Sequence, residues 1–177
     1  MSHQIISKKV CYHVMKGERY IFADERNKKK LLDIVLDIQL TEGWRIYAFC
    51  ITDDRAYFIV EAASKSSVLD GMSRAAESYL CFCKDTVWNR ESFAAGKLSG
   101  GTSKELQSLQ DIAALSRKIH RIPLEEGYVS RIGDYWWSSY ITYMGNYDWK
   151  LVDCSVLFLY FSMDLEVARH RLQQYHR

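Results

Sequence analysis

Residues 44–61, WRIYAFCITDDRAYFIVE, decide the fold. Trp44, Ile46, Ala48 and Cys50 alternate with Arg45, Tyr47, Phe49 and Ile51, and Ala56, Phe58, Ile59 and Val60 follow the polar run Thr52, Asp53, Asp54, Arg55. Alternation, aromatic and β-branched residues, and a tight acidic interruption predict an antiparallel hairpin. In its second strand Arg55 and Tyr57 stand two residues apart and so share one face of the sheet, with Ala56 on the other.

Working outward, residues 8–15, KKVCYHVM, read as a first strand, and Lys16 to Arg19 as a polar turn containing Gly17. Asp24 is placed to cap a helix whose apolar positions, Leu31, Leu32, Ile34, Val35, Ile38 and Leu40, recur at helical spacing until Gly43 ends it. The basic run Arg26, Lys28, Lys29, Lys30 falls on its first turns. It has two readings, a solvated face and a phosphate-binding site, and the first needs no ligand.

Beyond the hairpin, Ser64 or Ser66 starts a second helix through Val68, Leu69, Met72, Ala76, Tyr79, Leu80 and Phe82, ending near Trp88 and Asn89. Tyr79 sits at core spacing, which fits a packed residue better than a nucleophile. Residues 92–104, SFAAGKLSGGTSK, read as a loop. Helical periodicity returns over Leu106 to Ile122 and is expected to stop at Pro123, the only proline. Its last turns carry Arg117, Lys118, His120 and Arg121, the charge that a helix C-terminus favours. The aromatic run 134–149, DYWWSSYITYMGNYDW, fits core, a partner surface or a base-stacking platform, core being the simplest. A terminal helix follows, with Leu165, Ala168 and Leu172 inside and Arg169, His170, Arg171 and Arg177 outside.

At 177 residues, 48% hydrophobic and 26% charged, the chain can bury one ordinary core. No run approaches the roughly 18 consecutive apolar residues that a spanning helix needs, and the N-terminus has no signal-peptide core, so a cytoplasmic protein without a membrane partner is expected. The five cysteines form no C-x-x-C pair, which predicts buried reduced thiols rather than disulfides or a zinc site. A formal net charge of +2 permits a nucleic-acid partner without requiring one.

In order and spacing, YHVMKGE at 12–18, IFADERNKKKLL at 21–32, YAFCITDDRAYFIVE at 47–61, IHRIPLEEGYV at 119–129, DYWWSSYITYMG at 134–145 and the tail VDCSVLFLYFSMDLEVAR resemble the IS200-type single-tyrosine transposases, in their palindrome-associated branch. The resemblance implies an α+β fold: a ferredoxin-like βαββαβ sandwich with an antiparallel sheet and helices on one face, over residues 1–147, with a C-terminal helical extension over 148–177. It also implies single-stranded or hairpin DNA, or RNA, as partner, and either a monomer or a strand-sharing dimer, the branch favouring the monomer.

In that family two histidines flanking one hydrophobic residue bind Mg²⁺ or Mn²⁺, a helix tyrosine attacks the phosphate, and an Asn or Gln four residues later completes the metal site. Here those positions hold Arg55 and Tyr57, Lys118, and Ile122. Arginine stays protonated and cannot ligate a metal, so no cofactor and no catalysis at these positions are expected. The family's motif before the fourth strand is missing from the Gly/Ser-rich stretch, which puts that strand in question. Arg55 and Lys118 either neutralise a phosphate or pair with Asp53, Asp54 or Glu61. The expected binding set is Lys16, Arg19, Arg45, Arg55, Arg117, Lys118 and Arg121. Two alternatives stand beside an inactive nucleic-acid-binding protein. One is residual metal-dependent nicking, with Tyr57, Tyr79 or another tyrosine as nucleophile and Asp53, Asp54, Glu61 or His120 recruiting the metal. The other is a protein-interaction module.

Overall fold

Hairpin and caps form where the local chemistry requires them. In a computed structural model, which describes residues 8–18, 20–85 and 98–177, strands β2 (Arg45–Ile51) and β3 (Arg55–Ala62) flank the Thr52 to Asp54 turn. Helix α1 (Glu25–Glu42) starts at Asp24, whose carboxylate accepts the Arg26 N–H at 2.7 Å, and ends at Gly43 in the left-handed region at φ 65°. Leu40, expected on the buried stripe, is 73% exposed in the last turn of that helix.

Strand β1 (Lys9–Gly17) lies in the middle of the sheet, antiparallel to β3 on one side and to β4 (Leu98–Leu106) on the other, giving the order β2-β3-β1-β4. The chain is α+β. Helix α1 links β1 to β2, and helix α2 (Lys65–Asp85) links β3 to β4, completing the βαββαβ order with an antiparallel sheet. Both helices cover one face, where Cys11, Met15, Ala56, Phe58 and Val60 are fully buried. The end of α2 expected near Trp88 and Asn89 lies outside the described residues.

The fourth strand corrects the expected loop at 92–104. Residues 98–106 pair with β1, and the glycines that hid the strand accommodate a bulge between Val14 and Lys16. Gly101 has φ +90°, and a Cβ there would stand 2.0 Å from the Val14 carbonyl oxygen. Residues 92–97 lie outside the described residues.

Helix α3 (Leu109–Glu125) begins later than its periodicity suggests, because β4 runs through Leu106 and a capping box of Ser108 and Asp111 sets the start. It also outlasts Pro123. A proline costs a helix one hydrogen bond and crowds the carbonyl four residues back. Here it falls in the last turn, where the Glu126 N–H reaches Ile122 O at 2.8 Å and the Tyr128 N–H reaches Pro123 O at 2.8 Å.

The aromatic run is mostly core, as its density predicted: Tyr135, Trp137, Tyr140, Tyr143 and Trp149 are buried, while Trp136 and Tyr147 are exposed. It also lines the outer edge of β2. The Ile51 N–H donates to Trp137 O at 2.9 Å, Ser139 N–H to Phe49 O at 3.0 Å, and Asp153 N–H to Ile46 O at 2.8 Å. Every residue of β2 after Arg45 is therefore buried. Within this run the short helix α4 (Tyr140–Tyr143) sets Tyr140 and Tyr143 against the His120 ring of α3, and beyond it α5 (Ser155–Phe161) and α6 (Leu165–His176) pack against α3. No disulfide joins the five cysteines, and Cys81, exposed, and Cys154, half-buried, depart from the expectation of buried thiols. Among the described residues no helix is long and apolar enough to cross a membrane.

Candidate nucleic-acid interface

Helix α3 lies on the sheet face opposite α1 and α2 but covers chiefly β2 and β3. Among the described residues no helix packs closely on the half of that face built by β1, β4 and the start of β3, although Tyr57 within it is only 6% exposed. Strand register sets its residues: Lys16 opposite Arg55, Val14 opposite Tyr57, and Lys104 and Ile59 on either side of Tyr12. Directly opposed residues in an antiparallel ladder share a face. Lys16, Thr102 and Lys104 are exposed, and Tyr12, Val14 and Arg55 half-buried.

Arg55 and Tyr57 share this face, as their spacing requires, and an Arg55 Nη1–H donates to Tyr57 Oη at 3.5 Å. The guanidinium also meets Asp54 at 3.5 Å and Glu126, the residue closing α3, at 3.8 Å. These are long contacts between side chains about 38% exposed on the arginine side, and such pairs hold little free energy. Burial pushes the Tyr12 hydroxyl up to about 12, helped by Tyr57. Burial also raises Tyr57, against the lowering pull of Arg55. Both phenols stay protonated near neutrality, with Tyr12 half-buried and Tyr57 only 6% exposed. Tyr79 is fully buried in the core, its hydroxyl donating to Ile21 O at 2.8 Å.

The other expected contacts are dispersed. Lys118 is exposed and makes no ion pair among the described residues, and Ile122 is buried. Arg45 lies at the far end of β2, opposite Glu61 and 3.7 Å from Asp153, about 20 Å of strand from Arg55. Arg19 lies outside the described residues. Arg117 and Arg121 are not in the last turn of α3, as expected, because the helix runs on to Glu125. They serve the C-terminus of a different helix. Arg117 donates to Tyr175 O and lies over the Tyr175 ring, while Arg121 donates to His176 O at 2.8 Å and Arg177 O at 2.6 Å. Terminal carbonyls of α6, which have no partner within that helix, are thereby satisfied.

Nor is the basic run of α1 wholly a solvated face. Lys28 is 5% exposed, its ammonium 2.8 Å from Asp53 in the hairpin turn. His120 is also buried. The Leu172 carbonyl can only accept, so His176 Nδ1–H donates to it at 2.8 Å, leaving His176 Nε2 to accept from His120 Nδ1–H at 2.9 Å. His120 Nε2 then accepts from the Ser139 hydroxyl at 2.7 Å, and Ser139 Oγ accepts the Phe49 N–H at 2.9 Å. Burial and each other's proximity hold His120 well below its usual range, and burial holds His176 at about 4. Among the described residues no group of three or more His, Cys, Asp and Glu side chains is arranged to hold a metal.

Sequence reasoning missed Tyr12, Thr102 and Lys104. The alternation of buried Cys11, His13 and Met15 with Tyr12, Val14 and Lys16 carried the signal for the first; the glycines of β4 hid the others.

No family model and no curated protein matches this sequence. The fold is similar to the solved structure of a REP-associated tyrosine transposase bound to a REP hairpin, with a TM-score of 0.62 over 86% of this chain and 96% of that one, at 10% sequence identity.

Proposed function

We propose that this chain is a transposase-fold protein that binds single-stranded or hairpin DNA and has lost strand cleavage. The observation that carries the reading is the Lys16–Arg55 cross-strand pair, set beside the half-buried Tyr12 on the part of the sheet face that α3 does not cover. In the structurally similar transposase the bound partner is a REP hairpin.

The chemistry follows from the groups present. A phosphate accepts from Lys16 and, bidentately, from Arg55, replacing the long contacts to Asp54 and Glu126. Tyr12, half-buried, offers part of its ring to an unpaired base, while Tyr57, 6% exposed, accepts from Arg55 through its hydroxyl and steadies the guanidinium. Loss of cleavage is supported by the residue types: a guanidinium and a phenol at the two metal-ligand positions, and an ammonium at the position of the attacking hydroxyl. We assign the binding role to residues 1–147 and treat 148–177 as an extension that braces α3.

The test is fluorescence anisotropy with labelled hairpin and unstructured DNA, titrated with salt, on the native chain and on Lys16→Glu/Arg55→Glu. Steep salt dependence is expected, with at least tenfold weaker binding and a salt slope reduced by about two in the variant. Equal affinity of the two proteins would remove the open face as the site.

A second reading, an interaction module, is favoured by one observation. Leu159, Met163, Leu165 and Val167 are exposed on the α5–α6 hairpin. Light scattering that shows self-association, together with no nucleic-acid affinity, would support it.

A further inference from the structure

On the α1 side of the sheet a groove of about 610 Å³ runs between the first turns of α1 and the indoles of Trp136 and Trp137, with Phe82 of α2 at its wall. Tyr135 and Trp137 turn inward and are buried, whereas Trp136 points out and is 46% exposed. Its indole is braced from behind. The Tyr147 ring lies 4.6 Å away, and Trp149 stands edge-on at 6.0 Å. A bulky side chain fixed by two rings and presenting a face to solvent is a stacking platform whose ordering entropy is already lost on folding.

The facing wall is cationic. Arg26, Lys29 and Lys30 line it, with Lys30 Nζ 5.3 Å from the centre of the Phe82 ring. The two acids of the lining, Glu25 and Asp33, leave a net charge of +1. Arg26 is paired with Asp24 two residues away, and Lys29 with Asp33 one turn on, both cations more than half exposed. Such local surface pairs are weak and exchange readily for a phosphate.

We propose that this groove is a second nucleic-acid contact, taking an unpaired base on Trp136 and the adjoining phosphates on Arg26, Lys29 and Lys30. It rests on the nucleic-acid reading above but uses the opposite side of the sheet from Lys16 and Arg55. The two contacts are therefore separable by mutation.

The experiment is photo-crosslinking of the full chain to a single-stranded DNA carrying 5-iodouracil, with adducts mapped by mass spectrometry, alongside anisotropy on Trp136→Ala, Trp136→Phe, Lys29→Glu and Lys16→Glu/Arg55→Glu. Adducts on Trp136 are expected, with binding weakened about tenfold by Trp136→Ala, as loss of one stacked base does, and largely kept by Trp136→Phe. Circular dichroism checks that each variant is folded. Adducts confined to Tyr12 or Tyr57, with Trp136→Ala neutral, would overturn the groove and leave the open face standing. Trp136 adducts with Lys16→Glu/Arg55→Glu neutral would do the reverse. No binding to any oligonucleotide would overturn both.

Discussion

Lys28 reaches from the first turns of α1 to Asp53 in the β2–β3 turn, with 2.8 Å between ammonium and carboxylate. The cation is 6% exposed and the anion 29%. Removing the partner of a buried charge costs more than removing the pair, because the remaining charge stays desolvated. Asp53→Ala is therefore expected to cost about 2 kcal/mol, and Lys28→Met, which keeps the apolar stem and leaves the more exposed carboxylate, clearly less. Urea unfolding of the two variants tests the ordering, and equal losses would contradict it.

The His120–His176 pair makes stability depend on pH. Both titrate near 6.5 when unfolded and lower when folded, His176 at about 4. Between those values the unfolded chain holds protons that the native chain does not. The contribution is complete above about pH 6.5 and is lost as pH falls toward 4, by up to about 3 kcal/mol for His176 at about 1.4 kcal/mol per pH unit. Unfolding midpoints measured from pH 7.5 to 4.5 should fall, and His176→Phe should flatten the curve.

Gly101→Ala places a Cβ against the Val14 carbonyl in a left-handed conformation. A loss of about 2 kcal/mol or more is expected in thermal unfolding, with the sheet retained and the β1–β4 ladder loosened. Faster amide exchange confined to β1 and β4 would confirm where the strain falls.

Arg121 and Arg55 are expected to separate two roles. Arg121→Met leaves carbonyls of α6 without donors, so limited proteolysis within 165–177 should accelerate. DNA affinity should change less than twofold. Arg55→Glu should give the opposite result, an intact C-terminal helix and weaker binding.

The sequence carried much of this organisation where one residue type has one physical use. Asp24 as a cap, Gly43 as a left-handed stop and the period of two around Asp53 and Asp54 each left a single conformation open, and the hairpin and α1 stand where they imply. Local reading failed where the deciding partner is distant. The pairing of β4 depends on β1, some 90 residues earlier, as the Ser103 to His13 register shows. Nothing near Lys28 announces Asp53, and nothing near Arg117 or Arg121 announces the carbonyls of α6. The site was half legible for the same reason. Arg55 and Tyr57 share a face by spacing alone, whereas bringing Lys16 and Tyr12 beside them required strand register.

The segment that lines β2 has one more effect. By occupying the N–H of Ile51 and the carbonyls of Phe49 and Ile46, residues 137–139 and 153 close the edge at which a foreign strand could otherwise continue the sheet. Any union of this sheet with another chain by strand addition is thereby directed away from β2, and the aromatic run acts as a guard against aggregation as well as a part of the core.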